Sequence, residues 1–312
     1  MNKQRMVLLS SAIVAVFLFA DCKTAKSWTD HEARAETSAS WIPFHWSDPN
    51  KSAIYLSVTI DDIPRKLTMQ FDLGANVSLF YENALAPFLE AYPSLAGKLD
   101  RIADFSYFYP ISLRFGDVVL DELRIFKYGN FGEQVLAEEL DSDKNIDIGT
   151  IGSDIFQDKI LIIDFPSQRL CVTEQMPLEY QTVAAETGEI RNNRMLFPFL
   201  IDGQRELLMF DTGSSVYPLL TIEENALSIG GSLVDVRTAT SWGTDITLNG
   251  HEIVKDVSIC GKSLKGKTVY YNTFGSTDDF IVSEGIWGIT GNILFLDNIV
   301  ILDYKNKTIR II

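Results

Sequence analysis

The sequence predicts an all-β protein built from two copies of one unit. Its 312 residues are 46% hydrophobic, which suits two domains with buried cores and argues against a disordered chain. From Trp41 onward, short alternating or apolar runs are separated by turn residues, a pattern typical of β-strands. The clearest of these runs cover residues 53–60, 67–71, 111–115, 118–126 and 160–165.

Turn and helix signals interrupt the strand pattern. The pairs Gly116-Asp117 and Asp202-Gly203 each lie between two apolar runs and therefore predict hairpin turns. Between residues 81 and 99, apolar side chains recur at helical spacing, which predicts a helix there.

An internal repeat supports the two-copy interpretation. Segment 70–75 matches segment 209–214, with Asp72 aligned to Asp211 at an offset of 139 residues. Segment 149–165 matches segment 288–304 at the same offset, and 81–85 echoes 223–227 with a slightly larger shift. Ordered echoes of this kind indicate a duplicated unit. They predict a first half, 41–178, and a second half, 179–312, which meet near the polar stretch 178–193.

Each copy carries an aspartate that ends an apolar strand and is followed two residues later by a glycine. The glycine lets the chain fold back tightly, so the carboxyl group is presented on a turn. If the two turns face each other, Asp72 and Asp211 come together and share a proton, because two adjacent carboxyl groups do not both ionise readily. One can then act as a general base on water while the other polarises a carbonyl group.

These motifs resemble those of the pepsin-like and retropepsin-like aspartic peptidases. The resemblance rests on Asp-Thr-Gly-Ser at 211–214, on Asp-Leu-Gly-Ala at 72–75, and on a later hydrophobic-hydrophobic-Gly element that ends at Gly152 and at Gly291. It covers about residues 41–312.

The resemblance implies a bilobal acid-protease fold, in which two homologous β-barrel-like lobes are related by a pseudo-two-fold axis. It implies an endopeptidase in which Asp72 and Asp211 activate a water that attacks a peptide held in the cleft between the lobes. No cofactor is implied, and the enzyme is expected to be a monomer. The supporting residues that it implies are Gly74, Gly152, Thr212, Gly213, Ser214 and Gly291.

Leu73 departs from the family pattern. The family usually has threonine at this position, and its hydroxyl bonds to the backbone of the opposite lobe, whereas leucine has no hydrogen-bond donor. Two hypotheses therefore stand: an active endopeptidase, and a weakened or inactive peptidase-like protein that binds peptides or serves as a scaffold. Cleavage of an unfolded protein distinguishes them.

Aromatic residues near two of the turns are candidates for a flap over the cleft, which in the family carries a tyrosine. Tyr107, Phe108 and Tyr109 precede the first predicted hairpin, and Trp242 precedes Gly243 in the second half. Ordinary packing explains these aromatic residues equally well.

Charge and motif content exclude several other functions. With 27 Lys and Arg against 42 Asp and Glu, the net charge of −15 argues against a nucleic-acid partner. The three histidines, His31, His45 and His251, form no metal-ligand spacing with each other or with cysteine, so no metal is expected. The phosphate-binding loop and the serine-hydrolase motif are absent as well.

The N-terminal segment predicts export. Lys3 and Arg5 precede an apolar run over residues 7–20, which is typical of a signal peptide covering 1–21. Cys22 follows directly and resembles the lipid-attachment cysteine of bacterial lipoproteins, although Asp21 is unusual at such a processing site. Residues 22–40 then form a polar tether. A membrane-tethered lipoprotein is expected, with ordinary cleavage to a periplasmic or extracellular protein, or an uncleaved anchor, as alternatives.

Cys171 and Cys260 lie among apolar residues, which favours buried free thiols over a disulfide between them. Asp164 and Asp303 follow apolar strands in the second repeated segment and are expected to be turn residues.

Overall fold

A computed structural model describes residues 40–61, 63–241, 243–272 and 276–312. It confirms a mostly β protein, with 48% strand and 16% helix. The predicted signal segment, Cys22 and the tether up to residue 39 lie outside the described residues. Within the described ranges, no helix is both long and apolar enough to cross a membrane.

The first half consists mainly of strands, with two short helices between β4 and β5. Its strands are β1 (Trp41–Trp46), β2 (Ile54–Ile60), β3 (Leu67–Phe71), β4 (Leu79–Tyr81), β5 (Leu99–Ile102), β6 (Phe105–Phe115), β7 (Val118–Tyr128), β8 (Asp147–Ile151), β9 (Ile160–Asp164) and β10 (Arg169–Thr173). Its helices are α1 (Glu82–Ala91) and α2 (Pro93–Ala96), and single 3₁₀ turns lie at Ala137–Glu139 and Ser153–Phe156.

Strands β2, β3, β8, β4, β7 and β6 pair in this order, and β6 pairs back with β2. The described part of the first half therefore contains a closed barrel of six strands. Alternation along β2 explains why the barrel closes around a core, because Ile54, Leu56, Val58 and Ile60 are buried while the residues between them are more exposed.

The second half repeats this plan without closing the barrel, and it forms a half-barrel. Its elements are β11 (Glu186–Thr187), β12 (Glu189–Arg191), β13 (Arg194–Ile201), β14 (Gln204–Phe210), β15 (Leu219–Thr221), α3 (Glu223–Ile229), β16 (Gly230–Ser241), β17 (Thr244–Ile253), β18 (Val257–Ile259), β19 (Lys262–Ser263), β20 (Thr268–Asn272), α4 (Ser276–Glu284), β21 (Gly288–Thr290), β22 (Ile299–Asp303) and β23 (Thr308–Ile311). Single 3₁₀ turns lie at Leu178–Tyr180 and Asn292–Leu294.

The same pairings recur in both halves. β3 pairs in parallel with β8 as β14 does with β21, and β4 pairs with β8 and β7 as β15 does with β21 and β20. The register repeats too, since Phe71 lies opposite Ile151 and Phe210 lies opposite Thr290. The internal repeat in the sequence thus corresponds to one repeated pattern of strand pairing.

One sheet joins the two halves. β9 of the first half pairs antiparallel with β22 of the second, with Ile162 opposite Ile301. Both side chains are fully buried. β9 is buried along its whole length, as its continuous apolar run predicts for a strand covered on both faces.

Most of the predicted local elements are confirmed. The five predicted strands all form, and the turns at Gly116-Asp117 and Asp202-Gly203 connect β6 to β7 and β13 to β14. Asp202 and Gly203 both have positive φ, as a tight two-residue hairpin turn requires. The predicted helix forms as α1 and α2, which end where β5 begins.

The structure also describes the two cysteines and the two aspartates that were predicted to lie in turns. Cys171 is buried, Cys260 is half-buried, and both thiols are free. Asp164 accepts a hydrogen bond from the amide of Ser167, and Asp303 from the amide of Asn306, so both carboxylates cap turns as predicted.

Candidate active site

Asp72 and Asp211 occupy matching positions at the ends of β3 and β14. The amide of Asp72 donates to the carbonyl of Ile151, over 3.0 Å, and the amide of Asp211 donates to the carbonyl of Thr290, over 2.9 Å. Each aspartate therefore extends the hydrogen-bonded ladder to the glycine-containing strand that follows later in its own half.

Each aspartate is held within its own turn by backbone amides. Oδ1 of Asp72 accepts from the amide of Gly74 over 2.9 Å. Oδ1 of Asp211 accepts from the amides of Gly213 and Ser214, over 2.8 and 3.1 Å. Amides that donate to a carboxylate fix its orientation and stabilise its charged form.

The two turns face each other closely. A Cβ atom added at Gly74 would lie 2.5 Å from Cγ of Asp211, and one added at Gly213 would lie 2.7 Å from Cγ of Asp72. Only glycine fits at either position. Each carboxyl group thus packs against the glycine turn of the other half, and the sequence-predicted pair comes together where the two halves meet.

The environment of Asp72 favours its protonated form. Burial raises the pKa of this carboxyl group well above its ordinary value, and the neighbouring charge and hydrogen bond of Asp211 raise it further. A pair of carboxyl groups in contact titrates as one unit, with a single proton shared between them over a range of pH.

Thr212 braces the first-half turn from the second half. Its hydroxyl donates to the carbonyl of Phe71 and accepts from the amide of Leu73, each over 2.9 Å. Leu73 is buried against the core and offers no hydroxyl in return. The threonine brace that the resemblance implies is therefore present on one side only.

Gly152 and Gly291 support the two turns from behind. A Cβ at Gly152 would lie 2.5 Å from the carbonyl oxygen of Val77, and one at Gly291 would lie 2.1 Å from that of Ser214. The backbone of each later strand thus packs directly against an aspartate turn, as the resemblance implies for these two glycines.

Two polar residues of the second half, Arg194 and Asn193, bind the turn that carries Asp72, and neither was predicted as a site residue. Arg194 Nε donates to the carbonyl of Gly74 over 2.5 Å, and Asn193 Nδ2 donates to the carbonyl of Asn76 over 2.9 Å. In the sequence Asn193 ends the polar stretch 178–193, interpreted as the boundary between the halves, and Arg194 follows it directly. The only sequence feature of Arg194 is its position at the start of an apolar strand, and this feature does not indicate a contact with the Asp72 turn.

A second polar network lies beside the site in the barrel of the first half. Burial raises the pKa of Asp147 to about 7, although hydrogen bonds from Gly149 and Tyr55 favour its ionised form. Burial and the charge of Asp147 raise the pKa of Tyr55 to about 12. The hydroxyl groups of Tyr81 and Thr150 are hydrogen-bonded to each other. A further half-buried carboxyl group, Asp154, accepts from the hydroxyl of Ser78, and burial raises its pKa to about 6.

The aromatic flap candidates occupy different environments. Phe108 is fully buried and belongs to the core, whereas Tyr109 is exposed. The hydroxyl of Tyr107 donates to Asp100, its neighbour across β5 and β6. Trp242 lies outside the described residues. A Cβ at Gly243, which follows it in the sequence, would lie 3.9 Å from Phe131, so Gly243 lies close to the first half.

Among the residues that the structure describes, no group of three or more His, Cys, Asp or Glu side chains is arranged to hold a metal ion. No protein-family model matches the chain, and no curated protein matches it either.

Proposed function

We propose that this chain is an aspartic-type endopeptidase with a bilobal acid-protease fold, in which Asp72 and Asp211 activate a water for peptide hydrolysis. The observation that carries the proposal is the close approach of the two aspartate turns, in which each carboxyl group packs against the other turn's glycine and is fixed by backbone amides. The repeated strand pairing and the later glycines behind each turn support the same fold.

The shared proton defines the roles of the two residues. Burial keeps the proton on Asp72, so the Asp211 carboxylate takes a proton from a water held between them while the water oxygen attacks the peptide carbonyl carbon. Asp72 donates its proton to the carbonyl oxygen, which gives a neutral tetrahedral diol. Transfer of a proton from Asp211 to the amide nitrogen then breaks the C–N bond. Asp72 regains a proton from the diol, and a carboxylic acid and an amine leave the pair as it began.

The turn that carries Asp72 is held in place although the threonine brace is present on one side only. Thr212 binds the first-half turn at Phe71 and Leu73, and Arg194 and Asn193 bind it at Gly74 and Asn76. Three residues of the second half therefore hold the turn that carries Asp72, although Leu73 offers no hydroxyl to the turn that carries Asp211. This favours the endopeptidase over the hypothesis of an inactive peptide-binding or scaffold protein.

Cleavage of an unfolded protein tests the proposal. The full-length chain, incubated with a reduced and carboxymethylated protein between pH 3 and 7, is expected to cut it internally. A hydroxyl-containing mimic of the tetrahedral intermediate is expected to block cleavage. Asp72→Asn and Asp211→Asn are each expected to lower the rate at least about 100-fold, because each removes one of the two proton-transfer groups.

Asp158→Asn is the matched control. Asp158 is exposed, and its positive φ is one that asparagine adopts readily, so the change removes one carboxylate without touching the pair. Full activity in this variant together with its loss in Asp211→Asn supports the assignment. No cleavage at any pH, with the mimic still bound, would support the scaffold hypothesis instead.

We also propose that the chain is exported and lipidated at Cys22. The basic residues Lys3 and Arg5, the apolar run 7–20 and the position of Cys22 support this. Labelled palmitate is expected in the wild-type protein and not in Cys22→Ala. Equal labelling of both proteins would contradict lipidation at this residue.

A further inference from the structure

Arg194 places a positive charge beside the aspartate pair. Its side chain is only 12% exposed, and its Nε atom donates to the carbonyl of Gly74 over 2.5 Å. Gly74 in turn packs against Asp211, since a Cβ there would lie 2.5 Å from Cγ of that aspartate. A single glycine therefore separates the guanidinium group from the carboxyl pair.

The groups that face this guanidinium are few and come from both halves. Glu284, also 12% exposed, lies on α4 with its Oε1 atom 3.4 Å from Nη1 of Arg194. The ring of Phe280, on the same helix, covers the guanidinium with its centroid 5.1 Å from Cζ. Asp211 and Asp72 are the other acidic groups whose charges act on Arg194. Burial lowers the pKa of Arg194, and the charges of the three carboxylates oppose this change. The guanidinium group therefore stays charged.

We propose that Arg194 is a positioning residue of the aspartate pair. It fixes the Gly74 turn from the second half, in addition to the brace that Thr212 makes. Its charge moves the pH range in which the pair holds one proton toward lower pH, and Glu284 limits the size of that shift. Where the measurement is peptide cleavage, this inference about Arg194 rests on the proposed endopeptidase function.

The sign of the effect follows from Coulomb interactions. A cation favours ionised carboxyl groups and so lowers the pKa of both protonation steps of a carboxyl pair. A directly paired cation lowers a carboxyl pKa by about 1–3 units. We expect about one unit here, because Gly74 lies between the groups and Glu284 neutralises part of the charge.

Two variants shift the profile in opposite directions. Arg194→Gln is expected to move both limbs of the pH–rate profile of kcat/KM up by about one pH unit and to lower kcat, because the turn also loses its donor. Glu284→Gln leaves the cation unbalanced and is expected to move both limbs down. Arg194→Lys keeps the charge and is expected to restore the wild-type limbs, with kcat only partly restored.

Arg191→Gln is the matched control. Arg191 ends β12 and lies opposite Arg194 across the hairpin, and it donates to the carbonyls of Glu284 and Gly285 rather than to the Gly74 turn. This variant is expected to keep the wild-type limbs. Thermal melting of every variant identifies any loss of folding. A lower kcat in folded Arg194→Gln with unmoved limbs would overturn the electrostatic part, and an unchanged kcat would overturn the positioning part.

A readout without cleavage separates this inference from the proposed function. Carbon-13 carboxyl resonances of Asp72 and Asp211, assigned in the full-length chain with the two asparagine variants, report the two protonation steps directly. Upward movement of both steps in Arg194→Gln supports the inference even if no peptide is cleaved. Peptide cleavage with unmoved carboxyl titrations would overturn the inference and leave the proposed function standing.

Discussion

At the scale of single residues, the two aspartate turns are alike in sequence and unlike in how they are held. Thr212 inserts one hydroxyl between the carbonyl of Phe71 and the amide of Leu73, whereas Leu73 packs into the core. The repeat in the sequence predicts the pair and the glycine that follows each aspartate, and the resemblance to aspartic peptidases implies the cross-brace from Thr212. The sequence does not predict Arg194, since its partner is a backbone carbonyl 120 residues away in the chain, and no repeated pattern indicates that contact.

Thr212→Val tests the remaining threonine brace. Valine has nearly the same shape but leaves a buried amide and a buried carbonyl without their partner, so the free energy of unfolding is expected to fall by about 1–3 kcal/mol. Urea unfolding measures this. Thr212→Ser keeps the hydroxyl and serves as control. Equal stability of the valine and wild-type proteins would show that the hydroxyl contributes nothing.

Asp147 predicts a stability that depends on pH. Burial raises its pKa from 3.8 to about 7 in the folded protein, so between about pH 4 and pH 7 the folded state binds more protons than the unfolded state. The free energy of unfolding contributed by this group is therefore lost as pH rises through that window. The full shift corresponds to about 4 kcal/mol at most.

Asp147→Asn removes this titration while keeping an oxygen that accepts from Gly149 and Tyr55. Urea unfolding at pH 4 and pH 7 is expected to show a smaller loss of stability in the variant than in the wild type. Asp158→Asn, an exposed carboxyl change, is expected to keep the wild-type difference. The same loss in Asp147→Asn as in the wild type would contradict the raised pKa.

At the scale of elements, the site depends on backbone packing between each turn and the strand behind it. Gly291→Ala places a Cβ 2.1 Å from the carbonyl oxygen of Ser214, so the turn that carries Asp211 must move. We expect a loss of about 1–3 kcal/mol in the free energy of unfolding, or more, because overpacking against backbone relaxes poorly. Peptide cleavage is expected to fall with it.

Gly97→Ala is the control for this substitution. Gly97 has an ordinary negative φ, and its added Cβ would lie 3.4 Å from the nearest atom, the carbonyl oxygen of Pro93. Thermal melting is expected to change little in this variant. Similar melting temperatures for both alanine variants would show that the strand behind Asp211 does not constrain the turn.

The strands and helices that could be predicted are those with a clear local pattern of apolar and turn residues. Alternation, apolar runs and turn residues were sufficient for β2, β3 and β9, whose buried faces are continuous. The hairpin of β16 and β17 was not predicted as strands. In β16 the residues Leu233, Val234 and Val236 are exposed, and that strand shows no alternation of buried and exposed positions. The sequence of helix α4 likewise shows no clear helical pattern of apolar residues. The helix is important for the site because it carries Glu284 and Phe280.

At the scale of the whole molecule, the two halves are joined by a sheet and meet at the aspartate pair. Ile162 and Ile301 lie opposite each other across β9 and β22, fully buried. The sequence shows two copies but cannot show this pairing, since nothing local in either strand identifies a partner in the other half.

Ile301→Ala is expected to lower the free energy of unfolding by about 2–5 kcal/mol, as expected for an isoleucine truncated in a core. Because the sheet is shared, hydrogen exchange is expected to speed up in β3 as well as in β14. Val254→Ala, at a residue 50% exposed, is the control and is expected to stay within about 0.5 kcal/mol of the wild type. Faster exchange confined to the second half would contradict the coupling of the halves.

The central claim is that Asp72 and Asp211 jointly hold the attacking water. A crystal structure of the full-length chain with a bound hydroxyl-containing mimic of the tetrahedral intermediate tests it most directly. The hydroxyl oxygen is expected to lie within about 2.6–3.2 Å of both carboxyl groups. Carboxyl groups too far apart to share one oxygen, or a mimic bound away from them, would contradict it.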